Sequence, residues 1–228
     1  MLTDPEEDYA RGFVPFLDCT IYLDSRPLIP RVETEYWVEC AIAETKMRMF
    51  QKIPYGNFWN ILDLFAGSGA IGVAVLKHLP NTRIDFGEID AGHFPTIEKN
   101  IRENGIAEER TRVIETDVYS NMGGAYDAIF ANPPYIAESR KDAVQDSVIA
   151  HEPARALFAD EDGFALIRKT VLGAPEHLAP GGTLYIEHDP EQSEPLRALA
   201  AKHGFTAETR KDQYGVLRYS VLKLEPES

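Results

Sequence analysis

Two cysteines, Cys19 and Cys40, are all that the 228 residues contain. They are too few and too far apart for a disulfide framework or a zinc knuckle, which points to a reducing, cytoplasmic setting. No run approaches the ~18 uninterrupted apolar residues of a membrane-spanning helix. The N-terminus, Met1 to Asp8, is acidic and lacks the basic-then-apolar order of a secretory signal; it reads as a solvated tail. Basic residues are also scarce: 23 Lys and Arg stand against 37 Asp and Glu, a net charge of −14. A large nucleic-acid footprint normally brings the opposite imbalance, so nucleic acid is not the expected partner. His151, His188 and His203 have no metal-ligand spacing with one another, and no metal is expected.

What is present is the composition of a globular chain, 44% apolar and 26% charged, with the length of one domain and a short appendage. Residues 1–57 form the appendage: an acidic tail, a strand candidate at Thr20–Leu23, a turn over Asp24–Pro27 and a helix from Glu33 to Gln51. Along that helix Trp37, Cys40, Ala41, Met47 and Phe50 recur near the helical period, and Tyr55-Gly56-Asn57 reads as a connector. From residue 58 onward short apolar runs alternate with helical stretches. Strands are expected at Ile61–Phe65, Arg83–Ile89, Arg112–Glu115, Ala128–Ala131 and Thr183–Glu187. Helices are expected at Ala70–His78, Phe94–Asn104, Gly163–Leu178 and Glu191–His203. Such alternation implies parallel strands joined by crossovers and covered by helices on both faces. The last two strands, Phe205–Arg210 and Val216–Leu224, have no helix between them and should pair antiparallel. The expected fold is therefore α/β and Rossmann-like: a mostly parallel seven-stranded sheet ending in an antiparallel hairpin.

Two motifs carry chemistry. The first strand runs from Asp63 into Phe65-Ala66-Gly67-Ser68-Gly69 and then a helix, with Gly67, Gly69 and Gly72 spelling GxGxxG. Glycines here let a ligand approach the backbone closely. Glu88, about twenty residues on and at the end of the next strand, can accept both hydroxyl protons of a ribose. The pairing serves NAD and S-adenosylmethionine (SAM) equally. Asp63 favours SAM, whose amino group and sulfonium it could offset. Asp117, at the end of the third strand, either accepts from an adenine amine or caps the turn before Val118.

The second motif is Asn132-Pro133-Pro134-Tyr135 at the end of the fourth strand. In open α/β sheets ligands lie beyond the carboxyl ends of the strands, so this tetrapeptide should face the same crevice as the glycine turn. A planar nitrogen is a poor nucleophile because its lone pair is delocalised. The Asn132 side-chain oxygen and a backbone carbonyl, that of Pro133, can each accept one of its N–H groups and so aim the lone pair at a methyl group. Two prolines stiffen the loop, and the Tyr135 ring can lie against the flat group.

On these motifs the chain resembles the HemK/PrmC family of class I SAM-dependent methyltransferases, from about Phe16 to the C-terminus. Leu28-Ile29-Pro30-Arg31-Val32-Glu33-Thr34-Glu35 is similar to the family's IPRPET-type segment. Glu152–Leu157, Asp162-Gly163, and Glu187-His188 with Gln192 also look like family sequence. The resemblance implies methylation of the glutamine side-chain amide in the GGQ motif of peptide-chain release factors. It implies SAM contacts from Phe65, Ala66, Gly67, Ser68 and Gly69 to the methionine portion, from Glu88 to the ribose, and from Asp117 and Val118 to the adenine. Asn132 to Tyr135 would hold the substrate amide, and the segment from Arg31 to Glu35 would help wall the site. Phe65-Ala66 departs from the family's usual Gly-Thr, Val32 stands where proline is usual, Glu88 where aspartate is, and Val118 where an aromatic is common. The family's N-terminal helical domain has no counterpart in the few residues before Phe16. A nucleic-acid adenine methyltransferase with the same NPPY geometry, and a non-catalytic SAM-binding scaffold, are the alternatives.

Overall fold

The computed structural model describes residues 5–52, 58–143 and 145–224; the connector expected over 55–57 and the first residues of the acidic tail lie outside them. The chain opens with helix α1 (Pro5–Arg11), a hairpin of β1 (Phe13–Phe16) and β2 (Cys19–Tyr22), and helix α2 (Val32–Lys52). There follow β3 (Trp59–Leu64), α3 (Ala70–His78), β4 (Thr82–Glu88), α4 (Phe94–Glu103), β5 (Thr111–Glu115) and β6 (Tyr126–Ala131). A crossover containing β7 (Ile136–Ala137), α5 (Asp146–His151), α6 (Ala154–Leu157) and β8 (Phe158–Ala159) precedes α7 (Ala165–His177). The chain finishes with β9 (Leu178–Glu187), α8 (Ser193–Lys202), β10 (Phe205–Lys211) and β11 (Leu217–Leu224).

Seven strands form one sheet in the order β10-β11-β9-β6-β3-β4-β5. Its pairs are parallel from β9 to β5 and β10 pairs antiparallel with β11, as expected; β11 also pairs antiparallel with β9. The interior strands are buried on both faces, which is why they read as near-continuous apolar runs. Ile61, Ala128 and Phe130 join the layer containing α2, α3 and α4 residues. Leu62, Leu64, Ile129 and Ala131 join the layer of α7 and α8. The N-terminal appendage shares the first of these cores: Trp37 is fully buried and stacks on Phe130 and Tyr219, with ring centroids 6.1 and 5.7 Å away.

Several expectations need correcting. The acidic tail is in part the helix α1, with Asp8 buried and paired to Arg11. On α2, Met47 and Phe50 are exposed and Cys40 only half-buried; the inward face runs through Thr34, Trp37, Val38, Ala41, Ile42, Thr45 and Met49. Two threonines interrupt that stripe, so a count of apolar residues alone misplaces it. Helix α7 begins at Ala165 because Gly163 has φ +81° and cannot be its first turn. Strand β9 begins at Leu178, which pairs with Tyr126; the register shifts before Thr183 pairs with Ala128.

Register places the site. Leu64 of β3 lies level with Gly87 of β4 and Ala131 of β6, and Ala131 with Ile186 of β9. The next residue of each strand is therefore Phe65, Glu88, Asn132 and Glu187, four neighbours along one sheet edge. The strand order also reverses here, since β4 and β5 lie to one side of β3 and β6 to the other, opening a crevice for ligand.

Candidate active site

The glycine turn leaves β3 with three left-handed residues: Phe65 at φ +66°, Gly67 at +55° and Gly69 at +76°. Phe65 thus holds a backbone conformation in which a Cβ costs about 1–2 kcal/mol. A Cβ on Gly67 would meet only Pro27 at 4.0 Å, whereas one on Gly72 would lie 2.3 Å from the Phe86 ring. Gly72 therefore allows α3 to pack closely on the sheet. Its N–H donates to Asp63 Oδ2 at 2.8 Å.

Asp63 is buried beneath the turn. Burial pushes its carboxyl up to about 8, against the pull of the Gly72 N–H and with a further push from Glu88. Its Oδ1 is a buried atom that meets no hydrogen-bond partner among the described residues. Glu88, also buried, accepts from the Gly67 N–H at 2.8 Å and the Asp90 N–H at 2.9 Å. The Ser68 carbonyl is anchored from below by Asn100 Nδ2 at 2.9 Å, and the same amide group donates to Tyr22 O of β2.

A cavity of about 130 Å³ lies over this turn, lined by Phe65, Gly67, Glu88, Ile89, Asp90, His93, Asn132 and Arg155 among others. A second hollow touches Phe65 to Ser68, Thr34 and Asn132. A larger pocket of about 460 Å³ also touches Asn132 and is lined by Arg31, Pro133, Pro134, Tyr135, Glu187 and Arg218 among others. Asn132 borders all three. Asp117 and Val118 do not line the Glu88 cavity; Asp117 is exposed, with its carboxylate 3.7 Å from Lys169 Nζ. Val118 is buried at φ +56°.

The NPPY loop is held from below. Tyr135 donates its hydroxyl to Glu187 Oε1 at 2.9 Å, and its carbonyl accepts from Gln192 Nε2 at 2.8 Å. Burial raises the Tyr135 phenol and the Glu187 carboxyl alike. Glu187 Oε2 also accepts from Trp37 Nε1 at 2.6 Å and Thr34 Oγ1 at 2.8 Å. Thr34 lies in the segment expected to wall the site, but its bond to Glu187, 153 residues away, is not foreseen from the sequence, nor is any role for Glu187.

Arg31 and Glu152 form an ion pair at 2.5 Å, so the IPRPET-like segment and the Glu152–Leu157 segment meet across the mouth of the site. Burial raises the Glu152 carboxyl despite the opposing pull of Arg31.

The cradle suits SAM. A Cβ-free turn at Gly67 and a cavity-lining carboxylate at Glu88 fit a close backbone approach and two hydroxyl donors; Asp63 lies buried beneath the turn and lines neither hollow.

Comparison with known proteins agrees. Residues 46–160 match the model of the methyltransferase small domain. The release factor glutamine methyltransferase of Streptococcus pneumoniae is 31% identical over 94% of this chain and 73% of its own length. That of Bordetella pertussis is 34% identical over 93% and 75%. Among solved structures, the N-terminal domain of human METTL16 in complex with SAH superposes with a TM-score of 0.62 at 16% identity, covering 92% of this chain and 77% of that one. A methyltransferase from Pyrococcus furiosus gives 0.55 at 17%, covering 80% and 81%. These two confirm the class I methyltransferase fold. Sequence identity of that extent, over a site with a glycine turn and NPPY on adjoining strands, makes the chain a member of the release factor glutamine methyltransferase family.

Proposed function

We propose that the protein transfers the methyl group of SAM to the side-chain amide nitrogen of the GGQ glutamine of a peptide-chain release factor. The observation that carries this reading is the position of Asn132, the shared wall between the Glu88 cavity and the pocket under NPPY. SAM, held by Phe65 to Gly69 and Glu88, supplies an activated methyl group. Asp117 and Val118, at the end of β5, are the residues proposed to contact the adenine. The glutamine amide enters from the other side. Asn132 Oδ1 and the Pro133 carbonyl accept its two N–H groups, and the Tyr135 ring covers its flat face. Held so, the amide plane is fixed and the nitrogen lone pair, perpendicular to it, is presented on the face opposite the Tyr135 ring. As the carbon–nitrogen bond forms, the methyl–sulfur bond would break with its electron pair going to sulfur, leaving a neutral thioether, while positive charge grows on the nitrogen next to two fixed carbonyl dipoles. The nitrogen becomes acidic in the same event and loses its proton to solvent water, so no strong base is needed.

The test is mass spectrometry of a GGQ-containing release factor incubated with the protein and SAM, beside RNA and DNA controls. One added methyl on the GGQ glutamine is expected. Methylation of either nucleic acid, with the release factor untouched, would overturn the reading.

A further inference from the structure

Asn132 works only if its side-chain oxygen, not its nitrogen, faces the substrate amide. The two ends of a carboxamide have nearly the same shape, so the hydrogen-bond network around them must make the choice. The network here begins at Glu187, which is buried and faces three donors: Trp37 Nε1, Thr34 Oγ1 and the Tyr135 hydroxyl. An indole N–H can only donate. Glu187 accepts from all three, with Arg218 as the nearby cation. Thr34 must then spend its single hydroxyl proton on Glu187. That leaves its lone pairs facing outward, and Asn132 Nδ2 stands 3.5 Å from Thr34 Oγ1. This is the long limit of a hydrogen bond, yet its polarity is fixed: the nitrogen faces an acceptor.

We propose that Thr34 is a positioning residue, polarised by Glu187, that turns the Asn132 amide so that Oδ1 is presented to the methyl acceptor. The same carboxylate fixes the Tyr135 hydroxyl, so one buried group aligns both ends of the NPPY loop. The inference rests on the proposed function for its catalytic consequence but not for the geometry.

Thr34→Val keeps the side chain's shape and removes the hydroxyl. Its kcat on the release factor should fall at least about tenfold, the order of one lost hydrogen bond. SAM affinity and release-factor KM should stay within about threefold of wild type, a change under 1 kcal/mol. Thr34→Ser, which restores only the hydroxyl, should recover the kcat. In parallel, the side-chain amide protons of Asn132, followed by NMR, should exchange faster with solvent in Thr34→Val than in wild type or Thr34→Ser. A fully active Thr34→Val, a Thr34→Ser variant as poor as it, or unchanged Asn132 exchange would overturn the proposal. Should wild type fail to methylate the release factor, the functional reading falls alone, and the exchange comparison still decides the orientation.

Discussion

The Glu88 carboxylate accepts the backbone N–H of Gly67, 21 residues before it, at 2.8 Å. The group expected to bind the cofactor ribose is therefore also the group that shapes the glycine turn. Two roles on one side chain separate by substitution. Glu88→Ala should weaken SAM by roughly 1.5–3 kcal/mol, the range for hydrogen bonds to a charged group, and should also lower the melting temperature, since the Gly67 and Asp90 N–H groups lose their acceptor. Glu88→Gln keeps an acceptor oxygen and should lie between the two in both measurements. Calorimetry and thermal unfolding on the three proteins check this; unchanged SAM affinity in Glu88→Ala would remove Glu88 from the cofactor site.

Asn132 makes the opposite prediction. It borders the cofactor cavity but is assigned to the transition state. Asn132→Ala should leave SAM affinity within a few-fold while lowering turnover at least ~100-fold, the scale of a lost transition-state donor or acceptor. Equal losses of binding and rate would make Asn132 a cofactor ligand instead.

The sequence made the edge of the candidate site legible because its residues follow directly on apolar strands, and parallel register then sets them side by side. Phe65, Glu88 and Asn132 need only the rule that ligands sit past the strand ends. Thr34 could not be found that way. It lies in the first turn of α2, and its partner Glu187 arrives only when β9 pairs with β6. Helix α1 was hidden for a related reason: a seven-residue acidic segment has little helical stability of its own, and its contacts with α5 form only in the folded chain. The GxGxxG spacing, by contrast, was visible, but the work of its third glycine was not. Gly72 serves packing against Phe86 and a bond to Asp63 rather than the cavity.

Gly163 is a steric support for the NPPY loop. At φ +81°, a Cβ there would lie 2.0 Å from the Tyr135 carbonyl oxygen and 2.9 Å from Gln192 Nε2. Gly163→Ala must displace the loop or the start of α7, at a stability cost of about 1–3 kcal/mol. Because the clash falls on Tyr135 and not on the glycine turn, kcat should drop while SAM affinity holds. Denaturant unfolding and calorimetry on the purified variant separate these effects, and retention of full turnover would show that the loop tolerates the shift.

Asp63 gives a pH signature. Its carboxyl, ordinarily at 3.8, is raised to about 8 by burial, so at neutral pH it is protonated in the folded chain and ionised in the unfolded one. A raised folded value means that the group's stabilising contribution is full below about 4 and is lost as pH rises through about 8. Relative to Asp63→Asn, the wild-type protein should therefore lose stability between those limits. Asparagine retains an oxygen for the Gly72 N–H, so that hydrogen bond survives the change. Cationic groups of SAM near the buried carboxyl would favour its ionised form. Binding at neutral pH should then release a proton, and SAM affinity should rise with pH until the carboxyl is ionised without help. Calorimetric titrations in buffers of different ionisation enthalpy count that proton. Wild type should release more of a proton than Asp63→Asn; equal release from both would place the titrating group elsewhere in the site.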